Sequence, residues 1–367
     1  MTIVIVGAGV AGLGIGWRLA QAGADVVILE RAQPGRGATW AAAGMIAPGA
    51  EALHANPQEA RLSAMSAAMW PVFSEEVEEA SGRKIHYRRD GSLMVAMDEV
   101  ELAPLQRRAD ASAGNARMLS AADAKIIVPL LNSHIAGALQ DSGDAQVDNR
   151  RLADALARAF VLAGGNLSPS ETAVKVECDG DVAIGVRTPF AMHHAEAVLL
   201  AAGAWSSEIE MPVHAIPAVV PVKGEMLSLV PPSPAALPAP LVWGNGIYLV
   251  PRGDCLHVGA TSERVGIDTR VTEGARVSLL ENARGLMPAL AKWDVKDQWA
   301  GLRPGSPDDM PILGETAVKG LFVATGQYRN GILLAPAIAK AMSRLILGVE
   351  TIDEIRAFGP GRFGVNR

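Results

Sequence analysis

Cysteine is scarce in this chain, and that scarcity excludes one class of protein. The two cysteines, Cys178 and Cys255, show no CxxC spacing. Two thiols cannot supply the disulfide framework on which small secreted domains depend, so we expect a reducing, cytoplasmic setting. We expect both cysteines to lie in turns and to be structural.

Long basic runs and long apolar runs are also missing. The chain has 33 Lys and Arg against 39 Asp and Glu, a net charge of −6, which argues against a nucleic acid partner. No apolar stretch reaches about 18 residues without a charge or a breaker, so no integral membrane segment is expected. The apolar run 332–347 contains Pro336, Lys340 and Arg344, and it predicts a buried helix. No basic segment precedes the first predicted strand, so we expect no secretory signal.

Apolar residues and glycine are abundant, at 49% of the chain and 38 residues out of 367. A chain of this length exceeds what one hydrophobic core supports, so two domains are expected. The first thirty residues predict a strand at 2–6, a helix at 13–22 and a strand at 25–29. A β-α-β unit of this length is typical of the start of a dinucleotide-binding fold.

The turn after the first strand carries the spacing GxGxxG at Gly7, Gly9 and Gly12, and Glu30 follows the second strand. Gly7 permits a tight turn, Gly9 lets the backbone approach a pyrophosphate, and Gly12 lets the helix pack closely on the strand. The helix start presents unpaired N–H groups to phosphates. Glu30 would accept hydrogen bonds from ribose hydroxyls. The alternative is a glycine-rich turn without a ligand, and the placed acid argues against it.

The residues after Glu30 bear on which dinucleotide binds. The segment GRGATWAAAGM, residues 35–45, stands where a regular strand–helix unit would follow in an NAD-binding fold. Its small residues allow a long ligand to pass closely, and Arg36 and Thr39 are candidates to meet phosphate or ribitol oxygens. This favours FAD. The alternative for residues 41–45 is an ordinary alanine-rich helix start.

The rest of the chain alternates between two sequence patterns. Residues 148–204 and 300–348 continue the α/β pattern, whereas 216–261 has short strands separated by Pro and Gly, typical of an antiparallel sheet. We predict an α/β fold with a Rossmann-type FAD-binding domain, residues 1–85, 140–210 and 300–367. It is interleaved with a substrate-binding domain built on an antiparallel sheet, residues 86–139 and 211–299. Predicted strands include 88–96, 137–139, 171–177, 182–188 and 197–202, and predicted helices include 59–81, 100–113, 150–163 and 272–285.

Four blocks resemble the FAD-dependent D-amino-acid oxidase superfamily and, within it, the glycine oxidases that supply an imine for the thiazole ring of thiamine. The blocks are IVIVGAGVAGLGIGWRLA, GATWAAAGMIAPGAE, WAGLRPGSPDDMPILG and GQYRNGILLAPAIAKAM. Their order and spacing fit over nearly the whole chain, and the last two are the specific ones. The resemblance implies a D-amino-acid oxidase-like fold, bound FAD, and oxidation of a small amino acid or amine with O2 as the electron acceptor.

The resemblance also implies roles for individual residues. Tyr248 and Arg303 match residues that bind the substrate carboxylate, and Arg329 matches an arginine near the flavin. We expect Arg303 to lie in a turn; the alternatives are an ion-paired or surface arginine and, for Tyr248, a core residue. The residues implied in cofactor binding are Gly7, Gly9, Val10, Ala11, Gly12, Glu30, Arg31, Thr39, Ala42, Ala43, Gly44, Met45, Val174, Gly203, Arg303, Arg329, Asn330, Gly331, Ile332 and Leu333.

Two departures from the family pattern lie near the substrate: Gly246 stands where the family has a histidine, and Ser262 where it has a methionine. The resemblance therefore implies a substrate class and not a preferred amine. Related sarcosine oxidases tether flavin to a cysteine near GLRPG; this chain has none there, so the FAD is expected to be non-covalent. A homo-oligomer without a metal ion is also expected. Two other functions stay open: a D-amino-acid dehydrogenase that reduces a quinone, and an FAD-binding subunit without turnover.

Overall fold

The predicted β-α-β unit is present at the start of the chain. The structure is a computed structural model, and it describes residues 1–51, 56–112, 114–212, 215–233, 237–350 and 352–364. In chain order the strands are β1 (Thr2–Val6), β2 (Asp25–Glu30), β3 (Met45–Ile46), β4 (Ser92–Ala96), β5 (Ala116–Leu119), β6 (Gly137–Asp141), β7 (Ala145–Gln146), β8 (Asn166–Pro169), β9 (Lys175–Asp179), β10 (Val182–Arg187), β11 (Met192–His194), β12 (Ala197–Leu200), β13 (Val220–Val230), β14 (Leu241–Gly244), β15 (Ile247–Arg252), β16 (Cys255–Gly259), β17 (Asp294–Gly305), β18 (Ile312–Glu315) and β19 (Leu321–Thr325). The helices are α1 (Val10–Gln21), α2 (Ala38–Ala41), α3 (Pro48–Glu51), α4 (Pro57–Ser81), α5 (Glu99–Asp110), α6 (Ala121–Ile127), α7 (Asn149–Leu162), α8 (Glu273–Leu286) and α9 (Ala335–Ile346).

A six-stranded sheet organises the dinucleotide-binding unit, in the order β18-β19-β12-β1-β2-β8. Its strands are parallel except for β18, which runs antiparallel to β19. β1 is apolar and buried from Ile3 to Val6, as is typical of a parallel strand whose two faces are both covered. Ile3 and Ile5 join a core shared with α1, α7 and α9, whereas Val4 and Val6 join a core beneath the three-stranded sheet β11-β10-β9.

An eight-stranded sheet forms the second unit, in the order β17-β13-β16-β15-β14-β4-β6-β5. Neighbouring strands are antiparallel except β14 and β4, which are parallel. Alternation along β15 assigns its two faces. Leu249 packs into a core with α8, whereas Tyr248 and Val250 lie on the opposite face with Ala41 and Ala43 of the first unit. The second face therefore borders the segment that the sequence associates with FAD.

The two sheets draw on alternating parts of the chain, and the predicted fold class is confirmed. The six-stranded sheet uses strands within residues 2–30, 166–200 and 312–325, and the eight-stranded sheet uses strands within 92–141 and 220–305. The exact domain boundaries stay predictions, and β17 runs across the predicted boundary at residue 300. Within the described ranges, no helix combines the length and apolar character that crossing a membrane requires.

Several local expectations were wrong. Cys178 lies within β9 and Cys255 begins β16, so neither cysteine is in a turn. The strand expected at 171–177 is β9, displaced towards the C-terminus, and β5 and β8 were not predicted. β5 and β8 are four-residue edge strands, and each is defined by its pairing with one neighbour, β6 or β2. Such short edge strands carry little periodicity of their own.

Gly12 allows α1 to lie against the turn that precedes it. A Cβ atom on Gly12 would overlap the carbonyl oxygen of Gly7, which is backbone and cannot rotate away. The predicted reason for this glycine, close packing of helix and strand, is therefore visible in the geometry.

The short helix α3 is held at its start by a buried acid. Asp144 is fully buried; its Oδ1 accepts a hydrogen bond from Gly49 N at 3.0 Å, and its Oδ2 accepts one from Ser92 Oγ at 2.6 Å. Burial raises the pKa of the Asp144 carboxyl to about 7, and the Ser92 hydrogen bond opposes the rise. Arg108 supports the same turn by donating to the Gly49 carbonyl at 3.1 Å.

We expect Gly12→Ala to lower the free energy of unfolding by about 3 kcal/mol, because the added methyl group meets backbone that cannot give way. Urea unfolding measures this difference. Gly274→Ala in α8 is the matched control: a Cβ there meets nothing within 4 Å, so the change should be neutral or stabilising by up to about 1 kcal/mol. Equal effects at the two glycines would contradict the packing argument.

The raised pKa of Asp144 predicts a pH-dependent stability. Between about pH 4 and pH 7 the folded protein keeps a proton that the unfolded chain releases, so this group's contribution to stability falls as pH rises, by about 1.4 kcal/mol per pH unit. Asp144→Asn lacks this titration. The unfolding free energy of the wild type minus that of the variant should fall across this range and level off above pH 7. Asp110→Asn, at the exposed end of α5, controls for the loss of an acid; the same pH trend in both variants would contradict the assignment.

Candidate active site

A long cavity of about 440 Å³ runs from the turn after β1 to the loop before α9. Of the residues implied in cofactor or substrate binding, all except Gly12 line it, and Gly12 supports it from behind. The lining comes from Gly7, Gly9, Val10, Ala11, Glu30, Arg31, Thr39, Ala42, Ala43, Gly44, Met45, Val174, Gly203, Tyr248, Arg303, Arg329, Asn330, Gly331, Ile332 and Leu333. The structure thus brings together residues that are separated by more than three hundred positions.

The start of α1 is built to face an anion. Its N-cap, Gly9, has no side chain that accepts the free N–H groups, and its first turn contains no acidic residue. Thr39 satisfies one of these groups, because its Oγ1 accepts from Val10 N at 3.0 Å. The remaining N–H groups and the positive end of the helix dipole are available to a pyrophosphate.

Glu30 shapes the same end of the cavity through its own backbone contacts. Its Oε2 accepts from Ala8 N at 2.8 Å and its Oε1 from Ala32 N at 3.0 Å, so the carboxylate is fixed between two turns. Each oxygen retains a second lone pair for the ribose hydroxyls that the sequence predicts. Next to it, the Arg31 guanidinium lies 3.5 Å from the centroid of the Trp205 ring, and burial lowers its pKa.

The carbonyl oxygens of residues 39–41 and of Ala43 are bound by side chains from outside the cavity. Asn149 Nδ2 donates to the carbonyls of Thr39 at 2.7 Å and Trp40 at 3.1 Å. Trp299 Nε1 donates to the Ala41 carbonyl at 3.0 Å, and Arg252 Nη2 donates to the Ala43 carbonyl at 2.6 Å. These donors lie on α7, β17 and β15. The alanine-rich segment is therefore fixed by both units. The sequence alone indicated no role for any of these three donor residues.

Arg329 is neutralised within the protein. Its Nε lies 3.2 Å from Glu51 Oε2 and its Nη2 lies 3.3 Å from Oε1, a bidentate pair that the sequence did not predict. Although burial opposes it, the Glu51 charge raises the pKa of Arg329. The neighbouring Asn330 Nδ2 donates to Glu59 at 2.8 Å. The loop that was expected to hold the flavin is thus anchored to α3 and α4.

Arg303 does not lie in the predicted turn. It lies in strand β17, where it pairs with Val222 of β13. β17 pairs with β13 as far as Gly305, so the GLRPG segment forms the end of a strand. Its glycines and proline, which are typical of a turn, are accommodated there. Arg303 Nη1 donates to the Thr261 carbonyl at 3.1 Å. Within the part of the chain that the structure describes, no carboxylate forms a salt bridge with Arg303. Most of its donors are therefore available to an anionic ligand.

Tyr248 completes the group around Arg303. Burial raises the pKa of its phenol, and the positive charges of Arg303 and Arg329 oppose that rise. Its hydroxyl donates to a weak acceptor, Met226 Sδ, at 3.7 Å, and a hydrogen bond with Arg303 also opposes the rise of the pKa. Tyr248, Arg303 and Arg329 therefore meet at one end of the cavity, as their predicted roles require.

A second cavity of about 490 Å³ opens from this meeting point. It shares Met45, Glu51, Tyr248, Arg303 and Arg329 with the first cavity. Its other walls come from α3, α5, β4, the hairpin between β14 and β15, and the segment after β16. They include Ala50, Met94, Val95, Glu101, Pro104, Leu105, Trp243, Gly244, Asn245, Gly246, Ile247, Ala260, Thr261 and Ser262. Gly246 and Ser262, the two departures from the family pattern, both lie here.

One buried donor tests whether the first cavity fits a cofactor. Gln327 lines the cavity and is 6% exposed, and its Nε2 has no hydrogen-bond partner among the described residues. Buried polar groups are nearly always satisfied, so this donor indicates a missing acceptor supplied by a ligand. Neither cysteine lines the cavity, and within the described ranges no cluster of His, Cys, Asp or Glu is placed to hold a metal ion. These residues suit FAD held without a cysteinyl tether.

Comparison with known proteins agrees with this geometry. A sequence model of the family described as FAD dependent oxidoreductase matches residues 2–345. The chain is 35% identical over 362 residues to a glycine oxidase from Geobacillus kaustophilus, covering 97% of this chain and 95% of that protein. It is 35% identical over 369 residues to a bifunctional protein ThiO/ThiG from Synechocystis sp., covering 98% of this chain and 54% of that protein. The chain thus spans about half the length of that bifunctional relative.

The fold comparison gives the same result. The structure matches the crystal structure of glycine oxidase from Geobacillus kaustophilus with a TM-score of 0.92 and 34% identity, over 98% of both chains. The cavity, its glycine-rich turn and the nearly full-length matches agree, and the chain belongs to the FAD dependent oxidoreductase family, as a member of the glycine oxidase type.

Proposed function

We propose that this chain oxidises glycine or another small amino acid or amine to an imine, with O2 reduced to hydrogen peroxide. Two electrons and two protons leave the substrate as its Cα–N single bond becomes a double bond. Where water hydrolyses the imine, the products are an oxo acid and ammonia, or an amine in place of ammonia when the nitrogen carries a substituent. The observation that carries the proposal is Arg303, a cavity arginine without a carboxylate partner in the described structure.

The proposed role of Arg303 is to bind the substrate carboxylate. A guanidinium presents parallel N–H donors that match a carboxylate, and this pairing fixes orientation as well as position. The Tyr248 hydroxyl, whose present acceptor is a thioether, is free to donate to the same carboxylate. Holding the substrate by its carboxylate directs the α-carbon towards the first cavity, where bound FAD supplies the acceptor for a hydride.

Arg329 is a poor alternative anchor because Glu51 already occupies its fork. Its proposed role is to fix the loop 329–333 against α3 at the flavin end of the cavity. The pair also limits the net positive charge beside the substrate, so that one carboxylate, and not two, is favoured.

The substrate's own amine is proposed to lose its proton before hydride transfer. No histidine is present among the described residues that line either cavity, and the Glu51 carboxylate is committed to Arg329. A neutral amine releases electron density to the α-carbon as the hydride leaves, so no protein base is required at that step.

Two readouts separate this proposal from its alternatives. Under anaerobic conditions, glycine, sarcosine, D-alanine or D-proline should bleach the flavin absorbance of the purified holoenzyme, and in air the same amine should release hydrogen peroxide. Flavin reduction with rapid dye turnover but without peroxide would instead support a dehydrogenase that reduces a quinone. No reduction by any of the four amines would support an FAD-binding subunit without turnover.

The fate of the imine is a further part of the proposal. It is either hydrolysed or passed to thiazole synthesis in the thiamine pathway. The match to a relative named as a bifunctional ThiO/ThiG protein supports the second fate. A homo-oligomer in the cytoplasm stays an expectation from the sequence.

Arg303→Met should weaken carboxylate binding at least about 100-fold, because each charge-assisted hydrogen bond contributes about 1.5–3 kcal/mol. The dissociation constant of acetate, followed by the flavin absorbance of the holoenzyme, measures this, and Arg303→Lys should recover only part of the loss. Arg264→Met is the matched control, since Arg264 is an exposed arginine on the surface. Wild-type affinity for acetate in Arg303→Met would place the carboxylate anchor elsewhere.

A further inference from the structure

The second cavity is larger than glycine requires. Pockets of about 300–1,000 Å³ hold ligands of drug size, and this one measures about 490 Å³. If Arg303 takes the carboxylate, glycine has only its α-carbon and nitrogen left to place. Nearly all of the second cavity therefore remains for a group that glycine does not have.

The charges around the second cavity exclude a second carboxylate as that group. The cations among its described lining residues are Arg303 and Arg329, and Glu51 neutralises Arg329. Glu101 lies in the same lining and adds negative charge. Once the substrate carboxylate occupies Arg303, no unpaired cation remains among these residues to receive another anion.

The walls of the second cavity are instead suited to an apolar, flat group. Met94 and Leu105 contribute apolar side chains, and the Trp243 and Tyr248 rings lie 5.3 Å apart between centroids. Aromatic rings pack well against other rings and against apolar groups.

The hairpin tip between β14 and β15 lines the second cavity without side chains at Gly244 and Gly246. A Cβ on Gly244 would meet Leu286 and Val95 at 3.0 Å, whereas one on Gly246 would meet only Asn282, at 3.9 Å. Gly246 has a φ of +73°, a backbone conformation that side-chain-bearing residues rarely adopt. The turn of the hairpin therefore favours glycine at position 246.

We propose that the second cavity binds an apolar substituent of about the size of an aromatic ring, carried on the nitrogen or the α-carbon of the amino-acid substrate. This inference rests on the proposed function. It makes glycine the smallest substrate accepted and not the best one. The substituent replaces water in the cavity, so its burial raises the efficiency of flavin reduction.

Anaerobic flavin reduction tests the proposal with glycine, sarcosine, N-benzylglycine, D-phenylalanine and iminodiacetate. At least one of the two benzyl-bearing compounds should reduce the flavin at least about tenfold more efficiently than glycine, and which one does identifies the atom that carries the substituent. Iminodiacetate, which adds a second carboxylate, should be less efficient than N-benzylglycine. Glycine and sarcosine matching or exceeding both benzyl compounds would overturn the proposal.

Leu105→Trp should narrow the second cavity. The efficiency of flavin reduction by glycine, relative to that by the better benzyl compound, should then rise at least about tenfold. Val100→Trp is the matched control on the same helix, since Val100 is 81% exposed and should leave the ratio unchanged. A Leu105→Trp variant that slows every substrate equally would mark the cavity as an entry path and would overturn the proposal.

Binding of carboxylates that cannot be oxidised to an imine separates this proposal from the proposed function. Benzyloxyacetate should perturb the flavin absorbance of the wild-type holoenzyme at concentrations at least about tenfold below those of methoxyacetate, because its ring adds buried apolar surface. This measurement needs neither turnover nor a folded variant. If no amine reduces the flavin but benzyloxyacetate binds more tightly, the proposed function fails and the subsite stands. Equal affinity for the two ethers overturns the subsite even if glycine is oxidised.

Discussion

The carbonyl oxygens of residues 39–41 and of Ala43 are bound by side chains that belong to both structural units, and the two cavities depend on these hydrogen bonds. Asn149 approaches from α7, Trp299 from β17 and Arg252 from β15. Because the donors lie outside the cavity, they hold the alanine-rich segment as a wall whose small side chains leave room for a ligand. Burial lowers the pKa of Arg252 to about 10, with Asp148 opposing the change, so Arg252 remains a cation at neutral pH. The segment is thus a joint between the parallel and the antiparallel sheet.

Arg303 and Arg329, where the two cavities meet, have different partners, and their proposed roles differ for that reason. Arg329 faces Glu51 and closes one end of the first cavity as a neutral pair. Arg303 forms hydrogen bonds with the Thr261 carbonyl and the Tyr248 hydroxyl and pairs with no carboxylate among the described residues, so its charge remains for a ligand. A site with two free guanidinium groups would favour dicarboxylates, whereas one free group favours a single carboxylate. The pairing of Arg329 with Glu51 therefore fixes the loop and, by leaving one free guanidinium, favours a substrate with a single carboxylate.

Sequence reasoning can predict a site directly where the residues concerned lie within one contiguous unit. Gly7, Gly9 and Glu30 share a single β-α-β unit, so their spacing alone predicts a turn that faces phosphates. The resemblance to the oxidase superfamily added Tyr248, Arg303 and Arg329, which no local pattern connects. The Glu51–Arg329 pair joins residues 278 positions apart, and no periodicity indicates which acid meets which arginine. The same limit hid the donors to residues 39–43 and the edge strands, which are defined by tertiary contacts and not by their own sequence.

The two cavities are lined by different parts of the chain, and under the proposed function this separates cofactor binding from substrate selection. The first cavity is formed mostly by backbone and small residues at the ends of parallel strands, where any change of shape affects the cofactor. The second is lined by α5, β4, the β14–β15 hairpin and the segment 260–262 after β16, and it shares five lining residues with the first cavity. Substitutions in that hairpin can therefore alter the substrate without disturbing the dinucleotide turn. The sequence has this pattern: its glycine-rich turn is complete, whereas its departures from the family, Gly246 and Ser262, both line the second cavity.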